Sequence, residues 1–326
     1  MPDAYVVYNP AAGRYPSQLL TERAVAVLRA DGWNLRLEQT QSGAHITQLA
    51  RQASEEKMEA FFVVGGDGSI NRAVAGLIGT ETALGVLPAG TANVWAQELG
   101  LPGLTWTRWM ALEESARRLA GARVRKVDLG ICNQRPFLLW AGIGLDAFIV
   151  HRLEPRRRWE KHFAVVQYAA SAIYNASLWR GINLRVSVDQ KDISGNFLLA
   201  VVSNIRLYAG GYAELSPNAR LNDGLMDLWL FKGETLADTV QFAWELLSGR
   251  HRESGQVQHF SFQNLRVESD SPLYLQVDGE ALNVESGVDI QVKRHELKVL
   301  VPEKTPHNLF IPEPCEAENE SPQKVS

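Results

Sequence analysis

The sequence predicts an α/β domain built on a parallel sheet, followed by a β-sandwich, and three observations predict it. Strand and helix signals alternate through four units between Ala4 and Leu99. Two successive strands of that series end in glycine turns, Gly65-Gly-Asp-Gly-Ser69 and Pro88-Ala-Gly-Thr91. Near Val127 the alternation stops, and short strands punctuated by turn residues take over.

In chain order, Ala4 to Tyr8 reads as a strand, Asn9 to Gly13 as a turn, and Ser17 to Ala30 as a helix. Trp33, Leu35 and Leu37 alternate with polar residues in a second strand ending near Thr40, and His45 to Ala53 resume helical spacing. Phe61 to Val64 is the continuous apolar run that a strand buried on both faces needs. Ser69 stands where a helix cap belongs, since Ile70, Ala73, Val74, Leu77 and Ile78 then recur at helical spacing. The fourth strand, Leu84 to Leu87, leads through a second turn ending at Asn93 into a helix through Leu99. Further strands are predicted at Val127 to Ile131, Arg135 to Ala141, Leu184 to Val188, Phe197 to Ser203, Leu225 to Phe231, Gln258 to Val267, Leu273 to Val277 and Asp289 to Val301. Helical segments interrupt them at Glu160 to Trp179 and Thr235 to Leu247. The division expected is a nucleotide-binding domain over 1–126 and a β-sandwich over 127–302, whose last strand can pack back on the first domain. A proline- and charge-rich tail over 303–326 is expected to be mobile.

Composition supports two cores, with 45% apolar residues and 9 tryptophans in 326 residues. A net charge of -4 and a pI near 6.0 argue against a nucleic-acid partner engaged by the whole molecule. The N-terminus lacks a basic region followed by an apolar core, and no apolar run approaches the length of a membrane span, so a soluble cytoplasmic protein is expected. Cys132 and Cys315 have no metal-ligand spacing.

A glycine turn between a parallel strand and a helix presents backbone N–H groups and the positive end of a helix dipole, a cheap way to hold phosphate. The first turn carries no Lys-Ser/Thr pair and is not GxGxxG; a carboxylate, Asp67, lies inside it. Beside phosphates such a group needs a divalent cation or a proton to handle, which points to metal-dependent phosphoryl transfer. A plain turn of an α/β domain is the competing reading, and the second turn one strand away weakens it. Asn9, Thr40, Gly65 to Asn71 and Gly90-Thr91 then fall on one rim of the sheet.

Eight segments now extend the pattern: NPAAG at 9–13, TQSGAH at 40–45, GGDGSIN at 65–71, LPAGTAN at 87–93, VDLG at 127–130, GIGLDA at 142–147, NDGLMDL at 222–228 and VDGE at 277–280. In this order and spacing they resemble the bacterial diacylglycerol kinase and sphingosine-kinase-like lipid kinase family. The resemblance implies an N-terminal domain like that of NAD kinase and phosphofructokinase, a C-terminal β-sandwich, and ATP in the cleft between them. It further implies nucleotide contacts from Thr40, Gly65, Gly66, Asp67, Gly68, Ser69, Ile70, Asn71 and Thr91. Glu280 would accept the proton of a lipid hydroxyl, and Asp67, the competitor for that role, would join a Mg2+ water network with Asp128 and Asp146. A second Mg2+ position would use Asp223 and the carbonyls of Arg220 and Leu225 to organise a loop. Each has a plainer reading: a DG hairpin before Glu280, a strand-end turn at Asp128, a helix N-cap at Asp146 and a type I′ hairpin at Asn222-Asp-Gly224.

Arg152, Arg156, Arg157, Arg158 and Lys161, interleaved with Trp159 and Phe163, form either a solvated helix face or a transient contact with an anionic membrane surface. The chain departs from the family pattern at Ser69, usually Thr, at Arg72, usually Glu, and at Val94-Trp95, which replaces Asp-Phe. The expected activity is transfer of the ATP γ-phosphate to a lipid hydroxyl, diacylglycerol giving phosphatidic acid. NAD kinase, which shares GGDG, and an inactive nucleotide-gated lipid-binding protein are the alternatives.

Overall fold

The computed structural model describes residues 1–10, 17–105, 107–153, 179–285 and 287–312. The first layer follows the predicted alternation: β1 (Asp3–Tyr8), α1 (Ser17–Ala30), β2 (Asn34–Gln39), α2 (Gly43–Glu55), β3 (Ala60–Gly65), α3 (Asp67–Leu77), β4 (Ala83–Pro88), α4 (Val94–Glu98) and α5 (Ala111–Ala120). The strands are parallel in the order β4-β3-β1-β2, with Tyr8 opposite Gln39 and Val64 opposite Leu87. Every residue of β3 and β4 is buried, which is why both read as continuous apolar runs. In-register pairing brings the carboxyl ends of the strands, and so both glycine turns, to one edge. Helix α5 is not among the predicted elements, although Leu112, Ser115, Ala116 and Leu119 recur at helical spacing; it packs on α1 and β4.

The second layer contains β5 (Arg123–Cys132), β6 (Arg135–Phe137), β7 (Trp140–Gly144), α6 (Leu145–Leu153), β8 (Ile182–Val188), β9 (Lys191–Ser203), β10 (Leu207–Tyr208), β11 (Ala213–Glu214), β12 (Met226–Lys232), α7 (Leu236–Leu247), β13 (Val257–Phe262), β14 (Asn264–Glu268), β15 (Leu273–Val277), β16 (Glu280–Val284) and β17 (Gly287–Val301). Its antiparallel strands run β16-β15-β7-β9-β8-β14-β17, with β12 and β13 added beyond β9. A second apolar core lies between these strands. Two expected strands are each split. The Arg135 to Ala141 run breaks because Leu138 and Leu139 give their N–H groups to a side chain, Asp278, and not to a neighbouring strand. The Gln258 to Val267 run breaks at Gln263, where pairing passes from β12 to β8 and β17.

Continuous strands join the two layers. β17 pairs with β14 at its start, with β5 along its length across an irregularity between Lys293 and Leu297, and with β4 in parallel at Val299. Residues 303–312 do not behave as the tail expected from composition. Leu309 is fully buried, Thr305 Oγ1 donates to the Leu99 carbonyl at 2.9 Å, and the Ile311 N–H donates to Asn222 Oδ1 at 2.7 Å. Two apolar residues in a polar stretch suffice to dock it on the first core. The remainder of the expected tail, 313–326, lies outside the described residues, as do the basic residues Arg156 to Arg158 and Lys161 and nearly all of the helix expected from Glu160 to Trp179.

Candidate active site

The first glycine turn is tighter than it reads. Gly66 is the N-cap in extended conformation and α3 starts at Asp67, so Gly68, Ser69, Ile70 and Asn71 are already helical. Ser69 is therefore not the cap: its N–H and that of Ile70 donate to the Gly66 carbonyl at 2.9 and 3.1 Å. Ile70 is 2% exposed in the core, so only its backbone can face a ligand. Gly68 and Thr91 are exposed on the rim, whereas Thr40 is buried and its Oγ1 donates to the Tyr8 carbonyl at 3.1 Å.

The two turns touch. A Cβ on Gly90 would stand 2.5 Å from Gly66 Cα and 2.7 Å from Asn93 Oδ1, so this crossing admits only glycine. Asn93, with φ +54, accepts from the Gly90 N–H at 2.8 Å and donates to the Gly90 carbonyl at 3.0 Å. Asp67 closes the unit: its two carboxylate oxygens accept the N–H groups of Val94 and Trp95, both at 3.1 Å. The free N–H groups expected at the second turn are thus taken at Gly90, Val94 and Trp95, and the Asp67 carboxylate occupies the anion position at the start of α4. Burial raises the Asp67 pKa and the two N–H groups oppose the rise. No family-type aspartate was needed at Val94 for this contact, because the backbone of that residue makes it.

From the other layer the hairpin between β15 and β16 faces these turns. It is the two-residue DG turn of the plainer reading, with φ +46 at Asp278 and +81 at Gly279 and Val277 paired to Glu280. Glu280 begins β16 and forms a cross-layer ion pair with Arg72 of α3; Arg135 approaches it at 3.9 Å. The charge reversal at Arg72 thus supplies a partner to the predicted base.

The group that residue patterns missed is Asp278. Its oxygens accept the N–H groups of Leu138, Leu139 and Trp140 at 2.9 to 3.1 Å, and burial, with a smaller push from the Asp67 carboxylate, raises its pKa to about 7. A signal was present in Val277-Asp-Gly-Glu280, where an aspartate ahead of the glycine could be more than a turn former. Asp146, in the first turn of α6, accepts from Gln276 Nε2 at 2.8 Å, and Gln276 Oε1 accepts the Gly279 N–H at 2.8 Å. Asp146 therefore supports the hairpin from behind, its pKa raised by burial.

Asp128 goes elsewhere. Its oxygens accept the N–H groups of Gly224 at 2.6 Å and His295 at 2.8 Å, clamping the Asn222-Asp-Gly224 segment to β17. That segment is not the type I′ hairpin its sequence suggests: no strand runs directly into it, and Asn222 Oδ1 accepts the Ile311 N–H at 2.7 Å. Asp223 Oδ1 accepts the Leu225 N–H at 3.0 Å, and burial raises its pKa. Arg220, Asp223 and Leu225 line a cavity of about 330 Å³, together with Asp227, His259 and the buried Asn204, whose Oδ1 has no hydrogen-bond partner. Among the described residues no three His, Cys, Asp or Glu side chains converge, so any cation here would be held by at most two carboxylates, with carbonyls and water, a donor set that fits Mg2+.

A buried ion pair sequence reasoning missed also spans the layers. Arg206 Nε donates to Glu98 Oε1 at 2.7 Å, and Glu98 is fully buried.

Comparison with known proteins agrees with this fold. Residues 3–132 match the family model described as diacylglycerol kinase catalytic domain, and residues 141–301 match the YegS C-terminal NAD kinase beta sandwich-like domain. A diacylglycerol kinase of Bacillus subtilis is 24% identical over 311 residues, covering 95% of this chain and 99% of its own. A "probable lipid kinase YegS-like" protein of Chromohalobacter salexigens is 28% identical over 283 residues, covering 85% and 86%. A crystal structure of a diacylglycerol kinase from Bacillus anthracis superposes with a TM-score of 0.71 at 19% identity, covering 93% of this chain and 98% of that one.

Proposed function

Since this chain belongs to the diacylglycerol kinase-like lipid kinase family and is a kinase, we propose that it transfers the γ-phosphate of ATP to the hydroxyl of diacylglycerol, giving phosphatidic acid. The observation that supports this most is the pairing of Glu280 with Arg72, because it joins the hairpin of one layer to the helix that starts at the first glycine turn of the other. In this reading the turns at Gly65 to Asn71 and around Thr91 bind the nucleotide phosphates, and Thr40 contributes through its backbone. Glu280 takes the proton from the lipid hydroxyl as that oxygen attacks in line. Asp67 keeps the two turns in register while its carboxylate, with Asp278 opposite, offers oxygen to a Mg2+ network; Asp146 holds the hairpin. Mg2+ when bound supplies charge neutralisation at the phosphates. A second ion at Asp223 and the Arg220 and Leu225 carbonyls is assigned to loop organisation, with Asp128 as its clamp. The first 126 residues would serve the nucleotide and residues 127–302 the lipid, at a transient contact with an anionic membrane surface, and the product is a phospholipid precursor. Among the described residues no helix is long and apolar enough to cross a membrane.

The test is labelled ATP offered with diacylglycerol, ceramide, sphingosine, phosphatidylglycerol and NAD in parallel. Label in diacylglycerol that falls by at least about a hundredfold in Glu280→Ala is the expected result. Label only in NAD, or in no acceptor, refutes the assignment.

A further inference from the structure

Helix α7 (Leu236–Leu247) wears its apolar residues outward. Leu236 is 36% exposed, Val240 59%, Trp244 67% and Leu247 63%, and Ala237 and Ala243 are exposed among them. At about 100° of turn per residue these six fall within an arc of about 120° that contains no charged side chain. The opposite side is conventional: Leu246 is 5% exposed and Phe242 meets Phe231 edge-on with ring centroids 4.3 Å apart. The acidic residues of the helix lie off the arc and are engaged. Asp238 accepts from the Glu234 and Thr235 N–H groups and the Thr235 hydroxyl, and Glu245 accepts from Gln241. The helix is well capped, so the outward face is a stable feature of the fold and not a fraying end.

We propose that this face of α7 docks on the surface of a phospholipid bilayer, the phase that holds the lipid acceptor; the inference rests on the lipid kinase reading above. Two observations favour a bilayer over a second protein. The arc is about 18 Å long and about 10 Å wide, so it offers roughly 200 Å², far less than the roughly 800 Å² per partner that a stable dimer buries. A single tryptophan among aliphatic residues suits the interface between headgroups and acyl chains, where a small, shallow apolar face is enough. The location also fits: α7 packs on β11, whose ribbon with β10 contacts α4 behind the second glycine turn.

The test compares the full chain with the triple variant Val240→Ser, Trp244→Ser, Leu247→Ser. Cosedimentation uses vesicles of phosphatidylglycerol and phosphatidylcholine, with melting temperature and sedimentation velocity measured alongside. The unaltered protein should bind vesicles, and largely keep doing so at about 0.5 M salt because the arc is uncharged. The variant should bind at least about tenfold more weakly. It should phosphorylate long-chain diacylglycerol in vesicles about tenfold more slowly, and a short-chain soluble diacylglycerol at the unaltered rate. Equal vesicle binding by both proteins, or none by the unaltered one, overturns the proposal. So does a dimer that the variant dissociates without change in vesicle binding. A fall in melting temperature beyond about 3 °C also overturns it, since the face would then be covered by another part of this chain. Vesicle binding without phosphorylation of any lipid instead overturns the lipid kinase reading and leaves the docking face standing.

Discussion

At the scale of single residues, the raised pKa of Asp278 has a consequence that can be signed. An aspartate in an unfolded chain ionises near pH 3.9, whereas Asp278 in the folded protein holds its proton up to about 7. Between those values the folded state binds a proton that the unfolded state has released, so this group costs stability progressively as pH rises through that window, and the full cost stands above it. Asparagine cannot ionise. The melting temperature of Asp278→Asn relative to the unaltered protein should therefore shift in favour of the variant between pH 5 and pH 8, whatever the constant offset from its altered hydrogen bonds. A difference that stays constant, read by differential scanning fluorimetry across that range, would show that Asp278 is ionised throughout. Glu280, a third exposed and facing two arginines, stands in a different environment two residues away.

At the scale of elements, the two glycine turns behave as one unit because Gly66 and Gly90 meet backbone to backbone. Gly90→Ala sets a Cβ against Gly66 Cα, where no side chain can move aside, and should cost about 1–3 kcal/mol in thermal or urea unfolding along with nucleotide affinity. Gly68→Ala is the matched control. It lies in the first turn of α3 with nothing within 4 Å of its Cβ direction, and should leave the unliganded protein as stable or more stable, by up to about 1 kcal/mol. Asp67→Ala removes the cap of α4 and should cost about 1 kcal/mol or more even without nucleotide and metal. If its whole effect appeared only in the presence of Mg2+ and nucleotide, the capping role would be wrong.

For the whole molecule, ion pairs cross between the layers, and burial decides the weight of Arg72–Glu280 and Arg206–Glu98. Arg72 and Glu280 are 46% and 33% exposed at the side chain, so Arg72→Ala should change stability by less than about 1 kcal/mol. Arg206 is 13% exposed and Glu98 is wholly buried, so Arg206→Ala leaves a buried carboxylate with only the N–H groups of Arg206 and Leu207 and should cost about 3–5 kcal/mol. Urea unfolding of both variants checks the contrast; equal effects would mean that the layers are not held at Glu98. The layers also share strands β5 and β17, which is why they are expected to unfold together.

Sequence alone determined the parallel alternation, both glycine turns to within a residue or two, and the order of motifs that carries the family. Those signals are local: a buried parallel strand must be apolar along its length, and a helix start must follow the turn at short range. Where the acidic residues go was decided only by tertiary structure. Asp67 reaches Val94 and Trp95, Asp278 reaches Leu138 to Trp140, and Asp128 reaches Gly224 and His295, over separations of 27 to 167 residues. In each case the partner is a backbone N–H, which every residue but proline carries, so no residue type records the contact. The same holds for α7, whose outward apolar face has the composition of an ordinary buried one; only the packing of Phe242 and Leu246 beneath it shows which side was left to the solvent.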